Sequence, residues 1–267
     1  AAENYELGEG LMYRDHQTVM SGSQQGFTLV EMSIVLVIIG LILGAVSIGK
    51  DLQRDAEYAK IKQKFVDQWA QAYNAYYQRA GVVLGDDQTE PRVMVNGANY
   101  AAAAGLPISG GDMTGVTAPA AICQPALANA TSLHEEFDRL GIRMPPGRAE
   151  GSEDRYIYLD TNGNPQEVRI CFQWNAPATP SGSGNMMVIS GLTPDLARTL
   201  DQMIDGKPDA REGVFRQQGV ENGTPGEAGV QWLGDNTQHL DGGTGAAGRN
   251  QDEDQVVVVT AHYKMNQ

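Results

Sequence analysis

Basic residues are scarce in this 267-residue chain, which has 19 Lys and Arg against 33 Asp and Glu and a net charge of −14. Binding to nucleic acid through its phosphates needs clustered Lys and Arg, so this balance argues against nucleic acid as a partner. One small basic group occurs at Lys60, Lys62 and Lys64. A solvated flank of a long helix accounts for it better than a binding patch does.

Cysteine is equally scarce, because the chain contains only Cys123 and Cys171. In a chain exported across a membrane, two cysteines most simply form one disulfide. The alternative is a pair of buried free thiols that behave as small apolar residues. The four histidines are scattered and do not cluster with the cysteines as a zinc site requires.

Charge is almost absent from residues 26–49, which read GFTLVEMSIVLVIIGLILGAVSIG. The run from Met32 to Gly49 has no charged residue and is close to the shortest length that crosses a membrane. Glu31 is the one exception, and a carboxylate near the middle of a membrane helix costs about 2.5–3.5 kcal/mol. We therefore treat Glu31 as a candidate functional residue.

Proline is missing from the first 90 residues, and the sequence beyond Lys50 becomes amphipathic. Apolar residues recur there at steps of three, four or seven, which is typical of one stripe of an α-helix. The stripe comprises Leu52, Ala56, Ala59, Val66, Trp69, Tyr73, Tyr76 and Ala80. A continuous helix over 27–80 would be about 80 Å long and would end at Gly81.

The remainder of the chain, 81–267, predicts a globular head with short helices and strands. Ser132 with Glu135 three residues later resembles a capping box, and Thr193-Pro194 is typical of a helix start. Further strands are predicted at 186–189, 213–216 and 256–261, and a glycine-rich acidic loop at about 219–255. The predicted fold class is α+β, with the long N-terminal helix packed against an antiparallel β-sheet.

The clearest local pattern is a hairpin, with strands at 156–159 and 167–174 joined by a turn at 160–164. Alternation in the second strand places Val168, Ile170, Phe172 and Trp174 on one face. Cys171 lies on the other face, where a segment carrying Cys123 could cover it.

Three oxygen-bearing side chains alternate in the hairpin turn: Asp160, Asn162 and Asn164. A calcium-binding EF-hand loop would need glycine at its sixth position and an acid at its twelfth, where this chain has Pro165 and Cys171. We therefore favour a plain hairpin turn and expect no cofactor, with a structural calcium ion as the alternative.

Patterns associated with catalysis are weak. Residues 243–248 match GxGxxG, but no convincing strand precedes them and no helix follows, as a dinucleotide site would require. The sequence has neither an HExxH pair nor a GxSxG elbow. We predict that the protein is not an enzyme.

The motif GFTLVE, followed at once by an apolar helix, resembles the processing signal of type IV prepilins and type II secretion pseudopilins. The resemblance covers about residues 26–55. It implies that a membrane peptidase cuts after Gly26 and N-methylates Phe27, so that residues 1–26 are a leader or an N-terminal extension. Glu31 matches the glutamate that, in this family, neutralises the α-ammonium group of a neighbouring subunit.

The resemblance implies a division into an assembly helix at 27–80, membrane-spanning over 27–49 and amphipathic over 50–80, and a head at 81–267. Gly40 and Gly44 have the small-xxx-small spacing that permits close approach between helices. The expected partners are identical subunits in a helical filament, prepilin peptidase, the assembly machinery and the inner membrane. The chain would lie in that membrane before assembly and in a cell-surface filament afterwards.

Two other functions fit the same sequence. One is a pseudopilin or minor pilin of a type II secretion or competence machine. The other is a membrane-tethered binding module or adhesin that forms no filament, although a simple tether would have no need of Glu31, Gly40 or Gly44.

Overall fold

The computed structural model describes residues 26–101, 112–220, 229–232 and 258–265. It contains two compact units, of which the first ends at Gly49 and the second begins at Lys50. Apart from Gly26, the predicted leader lies outside the described residues.

The predicted long helix is present in three consecutive parts. Helix α1 spans Leu29–Ile61, a π-helical turn spans Lys62–Val66, and helix α2 spans Asp67–Ala80. Gly81 ends it as predicted, with a left-handed φ of 74° and its N–H donating to the carbonyl of Tyr77 at 2.9 Å. No proline interrupts these residues, so the backbone hydrogen bonding runs through all three parts.

The buried stripe of this helix differs in phase from the predicted one. Val66, Trp69, Tyr73 and Tyr76 are buried as predicted, whereas Leu52 and Ala56 are exposed and Ala59 is only partly buried. The other buried side chains are Tyr58, Ile61, Phe65 and Ala72. A π turn takes in one additional residue, so the residues before it are rotated and Tyr58, rather than Ala59, aligns with Val66.

Two short helices of the head start at the predicted caps. Helix α3, Leu133–Arg139, begins after Ser132 with the full capping box to Glu135. Helix α4, Pro194–Asp205, begins after Thr193 and ends at Gly206, whose φ is 78°.

The five strands in the described part of the chain form one antiparallel sheet in the order β1-β2-β3-β5-β4. The strands are β1 Arg155–Leu159, β2 Pro165–Asn175, β3 Gly184–Leu192, β4 Phe215–Gln217 and β5 Val259–Lys264. The hairpin prediction is confirmed. Strand β4 starts later than predicted, because the N–H of Val214 donates to the carboxylate of Asp205 in place of β5. Strand β5 starts at Val259, and residues 256 and 257 of its predicted range lie outside the described residues.

The core lies between the long helix and one face of the sheet. Val168, Ile170 and Phe172 on β2 are fully buried there. The ring of Phe172 lies 6.2 Å from that of Trp69 and 5.2 Å from that of Tyr73. The predicted α+β arrangement, with the helix packed on the sheet, is therefore confirmed.

Most of the predicted loop at 219–255 lies outside the described residues. Within it, Gly229–Trp232 has no helix or strand, yet Trp232 is fully buried. Its indole N–H donates to Asp201 on α4 at 2.7 Å, which ties this segment to the head.

Candidate assembly site on the N-terminal helix

The predicted cleavage point lies just before the helix. Gly26, Phe27 and Thr28 are exposed and precede the first helical residue, Leu29. The side chain of Phe27 is 79% exposed. The Gly26–Phe27 peptide bond is thus in non-helical, accessible chain, as a peptidase substrate must be.

Glu31 forms a reciprocal cap with Thr28. The carboxylate oxygen Oε2 accepts the Thr28 N–H at 2.8 Å and the Thr28 hydroxyl at 2.9 Å, and the Glu31 N–H donates to the same hydroxyl oxygen at 3.2 Å. This is a capping box, which satisfies backbone donors that a helix start leaves unpaired. The spacing Thr28-x-x-Glu31 is the same signal that predicted the cap of Ser132 and Glu135, so the sequence alone is sufficient to predict this cap as well.

The cap leaves the charge of Glu31 without a counter-ion. Oε2 makes both bonds to Thr28, and among the described residues no donor reaches Oε1 and no cation pairs with the carboxylate. The positive end of the helix dipole favours a carboxylate at this place. In an apolar environment, however, a single carboxylate needs a positively charged partner as well.

Beyond Glu31 the helix presents apolar side chains in every direction. Each apolar side chain that the structure describes between Phe27 and Ile48 is exposed. In the described part of the chain, the helix Leu29–Ala80 is the one that is long and apolar enough to cross a membrane. An apolar surface of this size is typical of contact with lipid or with other helices.

Gly40 and Gly44 have open space beside them. A Cβ atom added at either residue would have no neighbouring heavy atom within 4 Å. Packing within the described chain therefore does not require glycine at these positions. The two residues instead leave a shallow strip along which a second helix could approach closely.

Comparison with known proteins bears on this same segment. Residues 22–47 match the prokaryotic N-terminal methylation motif. The chain carries a prepilin-type signal. No curated protein and no solved structure matches the chain. The prepilin-type signal and the long apolar helix together support a type IV pilin-like or pseudopilin subunit, while the roles of Gly26, Phe27, Glu31, Gly40 and Gly44 stay predictions.

The two cysteines form the predicted disulfide. Ile122 makes an isolated bridge with Phe172, with N–H···O distances of 2.8 and 3.0 Å, and this places Cys123 directly opposite Cys171. Their Cα atoms are 4.6 Å apart, the spacing of a cross-strand pair without backbone hydrogen bonds. The segment carrying Cys123 therefore lies beside β2 along its edge, past the end of the pairing with β1, and does not cover the face of β2 as expected.

The turn residues considered for calcium bind the backbone instead. Asp160 Oδ1 accepts the N–H groups of Asn162 and Asn164, each at 2.8 Å, and Oδ2 accepts the side-chain amide of Gln166 at 3.1 Å. Burial raises the pKa of Asp160, but these hydrogen bonds outweigh it and hold the pKa below its ordinary value. The geometry favours the hairpin turn, and the calcium alternative remains a prediction.

Proposed function

We propose that this protein is a structural subunit of a type IV pilus-like filament and polymerises through the helix at 27–49. The observation that carries the proposal is a prepilin-type signal that leads into a helix whose described apolar side chains, as far as Ile48, are all exposed. Such a helix first lies in the inner membrane, and on extraction it exchanges lipid for the helices of other subunits.

Processing supplies the cation that Glu31 lacks. Hydrolysis of the Gly26–Phe27 bond releases residues 1–26 as a leader and gives Phe27 a free α-amine, which is protonated near neutral pH. The amine of one subunit then pairs with Glu31 of its neighbour. Thr28 holds Oε2 of Glu31, so Oε1 is the oxygen left for the incoming amine.

This pairing also sets the axial position of one subunit against the next. An unpaired charge in an apolar bundle costs far more free energy than a paired one, so a subunit shifted along the axis is strongly disfavoured. Gly40 and Gly44 let neighbouring helices approach closely beside this contact. The head at 81–267, carried on the amphipathic part of the helix, forms the outer surface of the filament and has a structural rather than a catalytic role.

Two variants test the role of Glu31. Glu31→Gln keeps an oxygen that can accept both Thr28 bonds but removes the charge, so we expect the subunit to insert in the membrane and fail to appear in sheared surface fibres. Asp55→Asn is the matched control, because Asp55 is an exposed acid on the same helix outside the apolar run. Normal fibres from the Glu31→Gln variant would refute the pairing.

The closest competing function is a pseudopilin or minor pilin, because the same signal occurs in both groups. The amount of the chain in sheared fibres separates them, since a main subunit dominates the fibre mass. Mass spectrometry of the mature protein tests the processing step. It should find a methylated Phe27 at the N-terminus, and an intact 1–26 segment in fibres would exclude the proposed amine.

A further inference from the structure

The two edges of the head's sheet differ in whether their outward backbone groups are hydrogen-bonded. At the β4 edge, Asp205 accepts the outward N–H of Phe215 at 2.9 Å, and the carbonyl of Ala210 accepts the outward N–H of Gln217 at 2.8 Å. The backbone donors on that side are therefore satisfied within the head. An edge closed in this way cannot pair with another strand.

The β1 edge is open in its second half. Tyr156 and Tyr158 occupy the hydrogen-bonded positions of the β1–β2 pair, so their backbone N–H and C=O groups point towards β2. Two flanking bonds establish this: the N–H of Ile170 donates to the carbonyl of Asp154, and the N–H of Asp160 donates to the carbonyl of Asn164. The N–H and C=O groups of Ile157 and Leu159 consequently point away from the sheet. Within the described residues, these four groups have no hydrogen-bond partner.

The side chains at this open edge are apolar. Ile157 is 45% exposed and Leu159 is 50% exposed, and both lie on the face of β1 opposite the core. Sheets usually protect an open edge with lysine, proline or a bulge, and none of these occurs at the two residues. The other end of β1 is closed, because Arg148 N–H donates to the carbonyl of Arg155 at 2.8 Å.

We propose that the β1 edge pairs antiparallel with the β1 edge of a second copy of this chain. A two-fold axis beside Tyr158 places Ile157 opposite the partner's Leu159, and Leu159 opposite the partner's Ile157. This register forms four N–H···O bonds and uses all the unpaired groups on each copy. The four apolar side chains then cluster on one face.

The short length of the open stretch supports a second copy as the occupant. In the described residues it comprises Ile157 and Leu159 alone, because Arg148 closes the edge at Arg155 and the chain turns away after Leu159. A longer strand would meet the segment at Arg148, whereas β1 of a second copy ends in its own turn at Asp160 and so matches the length of the opening.

The symmetry of the contact determines where it can act. A two-fold contact uses the same surface on both copies, so it closes on itself and cannot propagate along a polar filament. If the chain assembles as proposed above, the β1 contact joins heads that belong to different filaments. It would then mediate lateral association of filaments rather than their growth.

Cysteine cross-linking tests the register. Residues directly opposite in the hydrogen-bonded positions have Cα atoms about 5.5 Å apart, within the range of a disulfide. We expect a full-length Ile157→Cys chain mixed in detergent with a full-length Leu159→Cys chain to give a disulfide-linked dimer on mild oxidation. Either variant alone should give little dimer, because each residue lies diagonally across from the same residue of the second copy and not directly opposite it. The native cysteines do not interfere, since they are bonded to each other.

The control is Leu127→Cys, an exposed apolar residue outside the sheet. The β1 contact would be overturned if the mixture gave no more disulfide-linked dimer than Leu127→Cys does. It would also be overturned if each single variant alone gave as much dimer as the mixture. In filaments, Ile157→Lys should abolish lateral bundling seen by electron microscopy and leave single filaments intact. If no filaments form from the unmodified chain, the proposed function fails, while the detergent cross-link still decides the β1 contact independently.

Discussion

Thr28 and Glu31 show how a single residue pair can reconcile a carboxylate with an apolar helix. The threonine supplies two donors to one carboxylate oxygen, and the glutamate N–H returns a bond to the threonine hydroxyl. The arrangement holds the side chain in one position before any partner arrives. Less side-chain entropy is then lost when a neighbour's amine binds.

Removing the Thr28 hydroxyl should loosen this cap. In Thr28→Val we expect faster amide hydrogen exchange in the first helical turn, because loss of an N-cap side chain costs about 1 kcal/mol. We also expect a lower yield of sheared fibres. Thr28→Ser keeps the hydroxyl and serves as the control. Unchanged exchange in the valine variant would show that the cap does not order Glu31.

Two buried groups in the head should give stability opposite dependences on pH. Burial raises the pKa of Asp201, which accepts bonds from Trp232 and Asp209, to about 7 from an ordinary value of 3.8. Burial lowers the pKa of His262 to about 4 from 6.5. Ionisation of Asp201 thus favours the unfolded state as the pH rises from about 4 to 7, and protonation of His262 favours it as the pH falls from about 6.5 to 4.

Urea unfolding midpoints at several pH values test these signs. The gain in stability of Asp201→Asn over the unmodified protein should grow as the pH rises from about 4 to 7 and then level off. For His262→Gln the corresponding difference should grow as the pH falls from about 6.5 to 4. A difference that does not change with pH in either variant would contradict the assigned cause.

At the scale of elements, the long helix illustrates which features follow from the sequence and which do not. Its extent follows from the absence of proline and from Gly81, and both are local properties. The π turn at Lys62–Val66 does not, because it places Phe65 and Val66 together in the core, where the ring of Phe65 lies 5.4 Å from that of Tyr156 on β1. Lys62 pairs with Asp67 across this turn at 2.9 and 3.0 Å, five residues along the chain. Side-chain pairs in a regular α-helix are three or four residues apart, so the five-residue spacing in the sequence does not predict this pair.

Gly40 and Gly44 should matter to assembly but not to the isolated helix. The double variant Gly40→Ala/Gly44→Ala meets no atom within its own chain, and alanine favours a helix over glycine by about 1 kcal/mol per residue. We expect normal membrane insertion and fewer or less stable fibres. Gly49→Ala is the control, because it is equally unobstructed and lies about 140° around the helix from Gly44. Equal fibre yields from both variants would remove the glycine pair from the assembly surface.

The disulfide ties the segment carrying Cys123 to β2 across a sequence separation of 48 residues. Replacing both cysteines with serine should lower the free energy of unfolding by about 4 kcal/mol on the chain-entropy estimate for a loop of that size. Chemical denaturation with and without reductant measures this. The unmodified protein should be sensitive to reductant and the double variant should not. Equal stability of the two proteins in the absence of reductant would contradict the estimate.

At the scale of the whole molecule, the head has its own buried core, whereas the apolar helix needs lipid or other helices to cover its side chains. Residues 50–267 contain the sheet and the buried stripe of the long helix, whereas the apolar side chains described before Gly49 have no buried contacts. We expect a chain lacking Phe27–Gly49 to be soluble without detergent and unable to form filaments, as sedimentation and electron microscopy would show. Filaments formed by that truncated chain would refute assembly through the helix.

The sequence alone determined the prepilin-type signal, the capping boxes, the hairpin and the pairing of the only two cysteines. Each of these depends on neighbouring residues or on a count, so no tertiary information is needed. The tertiary structure decided the phase of the buried helical stripe, the burial of Asp201 beneath Trp232, and which edge of the sheet has unpaired backbone groups among the described residues. These features depend on contacts between residues far apart in the chain, such as Ala210 closing the β4 edge beside Gln217, and no local pattern specifies them.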